Sequence, residues 1–260
     1  MSNIIVTTVF KSGTKLLENL IESITGLSPI SPPHSASPDY INPKINLGED
    51  GFFIWHSRVT NEFLSIGGDH VAKRIYLVRN IYDLLVSQYY HFSLDIDSEI
   101  DCSTSSSGYF QSLTREAGVS LVINGASSPR FHWEGFGPQL THTQECVKAS
   151  NYPNSLLVIY DRLVKDKKSE VLRLARFLGY RLETEVLAEI VRRSSIEGQR
   201  SEREKRVGRA LHFRQGKPGS WRDVLCPYHI DMISLLKLQC ASELDDLCRD
   251  KEIGDIVAGY

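Results

Sequence analysis

The sequence predicts an α/β fold of three layers around a central parallel sheet. Two features carry that expectation: near-continuous apolar runs of strand length, and amphipathic helical stripes that alternate with them. Four runs qualify as strands. Residues 3–9 are β-branched and bounded by polar residues, and "FFIWH" (52–56), "RIYLVR" (74–79) and "SLLVIY" (155–160) have the same character. Continuous apolarity, rather than alternation, is what a strand covered on both faces requires. Leu16, Leu17, Leu20, Ile21 and Ile24 recur at helical spacing after the first run. Leu84 and Leu85 open a second stripe that continues into aromatic residues, and Val171, Leu174, Ala175 and Leu178 form a third, stopped by Gly179. Residues 228–251 read as a terminal helix packed on the body.

Two segments interrupt this rhythm. Residues 28–43 are rich in Pro and Ser and read as a loop, and the Ser-rich residues 101–108 read as a mobile rim. Residues 101–140 then read as a long loop over the sheet edge, with Phe131, His132, Trp133 and Phe136 either clasping a ligand or forming a small core. A chain of 260 residues with 41% hydrophobic content can bury a full core, so residues 1–260 are expected to form a single domain.

A formal net charge of −2 gives no electrostatic footprint for nucleic acid, so any anion site must be local. Five scattered cysteines without a C-x-x-C pair suggest neither a disulfide framework nor a metal site, and fit a reducing compartment. The start, "MSNIIVTTVF", has no charged leader region, and no apolar run reaches membrane length. The expectation is a cytoplasmic protein with no membrane partner.

Three segments carry chemistry. In "FKSGTK", small residues between a strand and a helix let an anion approach the unpaired N–H groups of the helix start. The loop lacks the first Gly of a Walker A motif and places Lys11 before its Gly, and "RIYLVR" ends in Arg79 and Asn80 instead of a magnesium-binding acid. In "VRNIYDLLVSQYYHF", Arg79 stands at a strand end and Ser87 two helical turns on, so that one phosphate could take a guanidinium and a hydroxyl; Arg79 could equally pair with Asp83. In "FRQGKPGSWRD", Arg214, Gly216 and Lys217 put two cations beside a flexible backbone.

Taken in this order, the three segments resemble the cytosolic-type sulfotransferase family, which uses 3′-phosphoadenosine 5′-phosphosulfate (PAPS) as sulfuryl donor and has a P-loop-like α/β/α fold. "FKSGTK" is similar to that family's 5′-phosphosulfate loop, "VRNIYDLLVSQYYHF" to its 3′-phosphate element, and "RQGKPGSW" to its C-terminal R-K-G-x-x-G-x-W signature. The resemblance implies that Lys11 touches the oxygen bridging phosphate and sulfate, while Ser12, Gly13, Thr14 and Lys15 bind the 5′-phosphate. It gives the 3′-phosphate to Arg79 and Ser87, joined by Arg214, Gln215 and Gly216. Tyr160 in "VIYDRL" would meet the adenine edge, and in "RRSSIEG" Ser194 would hydrogen-bond the base while Ile196 covers one face. His56 in "IWHS" matches the family's general base, a role suited to imidazole because its ordinary pKa lies near neutrality.

The chain departs from the family pattern in places. Ile54 replaces a Lys before the catalytic His, the adenine sandwich is aliphatic (Leu16 and Ile196), and Gln215 stands where Lys is common. The short C-terminal dimer motif of animal members is missing, so oligomeric state stays open. What the resemblance implies is metal-free transfer to a hydroxyl or amine of a small-molecule acceptor, with 3′,5′-adenosine diphosphate (PAP) as product. Two other readings stay open: a nucleotide-dependent kinase that uses the same loop for ATP, and a non-catalytic nucleotide-binding module.

Overall fold

The computed structural model describes residues 4–30, 51–55, 59, 73–94, 107–128, 131–199, 201 and 217–240. In chain order its elements are β1 (Ile4–Thr8), α1 (Thr14–Thr25), β2 (Ser28–Ile30), β3 (Gly51–Trp55), β4 (Lys73–Val78), α2 (Ile81–Ser93), α3 (Ser107–Gln111), α4 (Arg115–Asn124) and β5 (Ala126–Ser128). There follow β6 (Phe131–Trp133), α5 (Gly137–Ala149), β7 (Ser155–Ile159), α6 (Tyr160–Lys165), α7 (Lys167–Leu178), α8 (Thr184–Arg193), a 3-10 turn (Ser220–Asp223) and α9 (Pro227–Cys240). The chain divides into two compact units, Met1–Val78 with Glu145–Gly208, and Arg79–Gln144 with Arg209–Tyr260.

The first unit holds a five-stranded sheet in the order β2-β3-β1-β4-β7, every neighbouring pair parallel. The apolar runs form strands because both their faces are covered. Ile4, Val6, Phe52, Ile54, Ile75, Leu77 and Val158 point into one core with the apolar stripes of α1, α7 and α8. Ile5, Thr7, Tyr76 and Val78, which alternate with them, are equally buried on the other face. There the last turns of α5 bring Cys146 near Tyr76, where its thiol adds to the burial that pushes the Tyr76 hydroxyl up to about 12. Leu17, Leu20 and Ile21 of α1 are fully buried, each such side chain contributing roughly 1.5–3 kcal/mol. Gly179 ends α7 in the left-handed conformation, as expected of a helix stop. The outer edge of β7 is covered by α7: Arg173, paired with Glu170, donates from Nη2 to the Leu157 carbonyl at 2.8 Å.

The expected loop over residues 28–43 needs a correction at its start, because Ser28–Ile30 is a strand paired with Gly51, Phe52 and Phe53. Pro29 is accommodated because, among the described residues, β2 lies at the sheet edge with no strand on its other side. Residues 31–43 lie outside the described residues.

The second unit is built on α2, whose Ile81, Leu84 and Leu85 are fully buried. The long loop expected over residues 101–140 is largely regular structure: α3, α4, the β5–β6 hairpin and the start of α5. Phe136 is fully buried, Trp133 donates its indole N–H to the Val122 carbonyl at 2.8 Å and packs edge-on against Phe92, and His132 is exposed. Trp133 and Phe136 therefore belong to the core. His229 of α9 is also fully buried: its Nδ1 accepts from the Cys226 N–H at 3.3 Å, which leaves Nε2–H to donate to the Glu116 carbonyl at 3.1 Å. The expected terminal helix is present as Pro227–Cys240, and residues 241–251 lie outside the described residues.

Candidate functional site

In an open parallel sheet, ligands bind beyond the C-terminal strand ends where the strand order reverses, and here that point is β1, flanked by β3 and β4. The chain leaves β1 through Val9, Phe10, Lys11, Ser12 and Gly13 before α1 begins. This turn is tight: the Ser12 N–H donates to the Val9 carbonyl at 2.9 Å, and Lys11 adopts a left-handed backbone with φ of 70°. Thr14 then donates its hydroxyl to Thr8 Oγ1 at 2.9 Å, tying the helix start to the strand end.

Gly13 is the N-cap of α1, has φ of 110°, and offers no side chain to cap the helix. A Cβ at Gly13 would also come within 2.4 Å of Tyr160 Cδ2, so the Tyr160 ring lies directly on the loop backbone. Ser12 is fully buried, and among the described residues its Oγ has no hydrogen-bond partner. A buried hydroxyl beside the positive end of an uncapped helix is a place for an anion oxygen. Lys15 pairs with Glu18 at 2.5 Å, one turn into the helix.

Tyr160 follows β7 and begins α6, with its ring in the same apolar cluster as Leu16. Ser194 ends α8; its hydroxyl donates to the Val191 carbonyl at 3.1 Å, and its own carbonyl accepts from Lys167 Nζ and Gln199 Nε2. Burial pushes the Lys167 ammonium below its ordinary value. Ile196 opens the short helical stretch that follows, where the Ser195 hydroxyl accepts from the Gly198 N–H at 3.0 Å.

In the second unit, Arg79 is buried and directly precedes Asn80, whose Oδ1 caps α2 by accepting from the N–H groups of Tyr82 and Asp83. Ser87 is half-buried two turns along α2. Asp83, one turn before it, grips the turn that follows the third motif segment. Its carboxylate accepts from the Gly219 N–H at 2.6 Å, the Trp221 N–H at 3.1 Å and the Ser220 hydroxyl at 3.2 Å. Trp221 packs on Tyr82 with ring centroids 4.9 Å apart, and Arg222 stacks over the indole at 4.4 Å.

The residues expected to act on the 5′ side and the base therefore lie in the first unit, with Gly13 and Tyr160 in contact, and those expected on the 3′ side that are described lie in the second, Arg79 just before α2 and Ser87 on it. His56, Arg214, Gln215 and Gly216 fall outside the described residues. The sequence leaves Asp83 open as a mate for Arg79; in the structure its carboxylate accepts from residues 219–221. The signal available was an acid in the first turn of a helix that follows Arg79 and carries Ser87, together with a G-S-W turn free to supply N–H donors.

A sequence family described as "Sulfotransferase domain" matches residues 68–236. Cytosolic sulfotransferase 13 of Arabidopsis thaliana is 25% identical, over 97% of this chain and 78% of its own. Flavonol 4′-sulfotransferase of Flaveria chlorifolia is 28% identical over 58% of this chain and 47% of its own. Among solved structures, a mouse sulfotransferase complexed with PAP superposes with a TM-score of 0.68 at 20% identity, covering 97% of this chain and 86% of that one, a likeness of fold.

Proposed function

The chain belongs to the sulfotransferase domain family, and we propose that it transfers a sulfuryl group from PAPS to a hydroxyl or amine of a small-molecule acceptor. The observation that carries this reading is the buried Ser12 hydroxyl, which has no hydrogen-bond partner among the described residues, at the uncapped N-terminus of α1. A phosphate at that point would satisfy the hydroxyl and meet the first N–H groups of the helix. The left-handed turn at Gly13, with the Tyr160 ring against it, leaves backbone rather than side chain facing such a group.

In this mechanism Ser12, Gly13, Thr14 and Lys15 hold the 5′-phosphate, and Arg79 and Ser87, with Arg214, Gln215 and Gly216, hold the 3′-phosphate. Tyr160, Ser194, Leu16 and Ile196 surround the adenine. His56 takes the proton of the acceptor as its oxygen or nitrogen bonds to sulfur, and the bond from sulfur to the bridging oxygen breaks. Lys11 stabilises the negative charge that builds on that oxygen. Positioning supplies much of the rate, because the donor is already activated.

The relative named for flavonol sulfation supports a small phenolic or alcoholic acceptor. The proposal extends to a single sulfotransferase domain over residues 1–260 that works in the cytoplasm. Among the described residues, no helix is long and apolar enough to cross a membrane. The test is transfer of labelled sulfate from PAPS to a panel of small phenols, alcohols and amines in the presence of a metal chelator, together with calorimetry against PAP. Binding of PAP with chelator-insensitive transfer is expected; failure to bind PAP would overturn the proposal.

A further inference from the structure

We propose that Asp83 is a positioning residue for a 3′-phosphate subsite: its buried carboxylate fixes the turn of residues 217–221, which Lys217 opens, on the stretch of α2 that separates Arg79 from Ser87. The inference deepens the function proposed above and rests on that reading. Asp83 is 1% exposed. A carboxylate removed from water so completely is costly unless donors surround it, and the donors it has come from one short turn: the N–H groups of Gly219 and Trp221 and the hydroxyl of Ser220. These partners lie 136 to 138 residues away in sequence, so the bonds are tertiary.

Apolar packing of Trp221 on Tyr82 would hold the turn near α2 but would leave its rotation loose. Three charge-assisted bonds to two carboxylate oxygens fix its orientation. The carboxylate itself belongs to the first turn of α2, where the helix N-terminus favours a negative charge and where the Asp83 N–H is already taken by Asn80 Oδ1. Lys217 is exposed and two residues before the fixed Gly219 N–H, so its Cα is held within roughly 7 Å of that anchor by chain length alone. Asp83 touches no ligand in this account. It decides where Lys217 can meet a phosphate held by Arg79 and Ser87.

The test compares two nucleotides on the full chain: PAP, and adenosine 5′-phosphate, which lacks the 3′ group. Calorimetry on wild type is expected to favour PAP by roughly tenfold or more, the worth of one good charged hydrogen bond. Asp83→Asn puts an N–H₂ donor in place of a carboxylate oxygen and should cut that ratio by roughly tenfold. It should leave adenosine 5′-phosphate affinity near wild type. Ser220→Ala, which keeps the buried charge and two of its donors, should move the ratio in the same direction by less, and it serves as the readout if Asp83→Asn does not fold. Variants that lose affinity for both nucleotides equally, or for neither, would overturn the positioning role. A wild type that does not distinguish the two nucleotides would instead overturn the donor reading beneath it.

Discussion

The Tyr160 ring lies so close against Gly13 that a Cβ there would come within 2.4 Å of Tyr160 Cδ2, and the Gly13 backbone has φ of 110°. Two independent constraints therefore exclude a side chain at this point of the β1–α1 loop. Gly13→Ala is expected to destabilise the protein by about 1–3 kcal/mol and to abolish PAP binding. The two causes can be separated. Tyr160→Ala removes the steric clash but not the backbone strain, and it also empties part of the core, so the comparison is a double-mutant cycle: Gly13→Ala should lower the melting temperature less in the Tyr160→Ala background than in wild type. No loss at all in that background would make the left-handed conformation unimportant.

Ser12→Ala should move stability and binding in opposite directions. Leaving a buried hydroxyl without a partner costs about 1–3 kcal/mol, so its removal should raise the melting temperature of the nucleotide-free protein. If that hydroxyl meets the 5′-phosphate, the same variant should bind PAP more weakly. Thermal unfolding and calorimetry on one preparation check both. A variant that loses stability would show that Ser12 is already satisfied within the fold.

Binding and transfer should also separate at His56 and Lys11. His56→Ala is expected to bind PAP nearly as wild type does and to transfer little sulfate. Lys11→Ala should lower kcat by roughly a hundredfold or more, in line with losing one donor to a developing negative charge. Steady-state kinetics with labelled PAPS measure both, and full activity in His56→Ala would remove the imidazole from its role.

The strands of the sheet were legible because burial on both faces suppresses alternation, leaving runs such as "SLLVIY" that stand out by composition. The helices and hairpin within residues 107–140 were not. β5 and β6 have three residues each, and α4 buries Gly118 and Val119 beside Val122 and Ile123, a pattern too weak to mark a stripe. At the candidate site, the turn of residues 9–13 between β1 and α1 and the start of α2 were legible from residue type and order. The contact of Tyr160 with Gly13 and the grip of Asp83 on residues 219–221 were not, because each joins segments more than a hundred residues apart through tertiary packing.

Tyr76 tests whether the second face of the sheet is as dry as the first. Burial pushes its hydroxyl up to about 12, with Cys146 and Tyr152 adding to the rise and Arg74 and Ser155 opposing it. In the unfolded chain a tyrosine ionises near pH 10. Between these values the unfolded chain releases a proton that the folded protein keeps, so stability falls as pH rises through that window. Below pH 10 the contribution is fully present. A shift of this size corresponds to roughly 3 kcal/mol lost by pH 12. Tyr76→Phe removes the ionisable group and should flatten the alkaline limb of stability against pH between about 10 and 12. Tyr82 and Tyr89, which burial also pushes up, should still give a shallower decline of the same sign. Denaturant unfolding of the two proteins across that range measures the difference. Parallel curves for wild type and Tyr76→Phe would mean that solvent reaches the hydroxyl and that this face of the sheet is not closed.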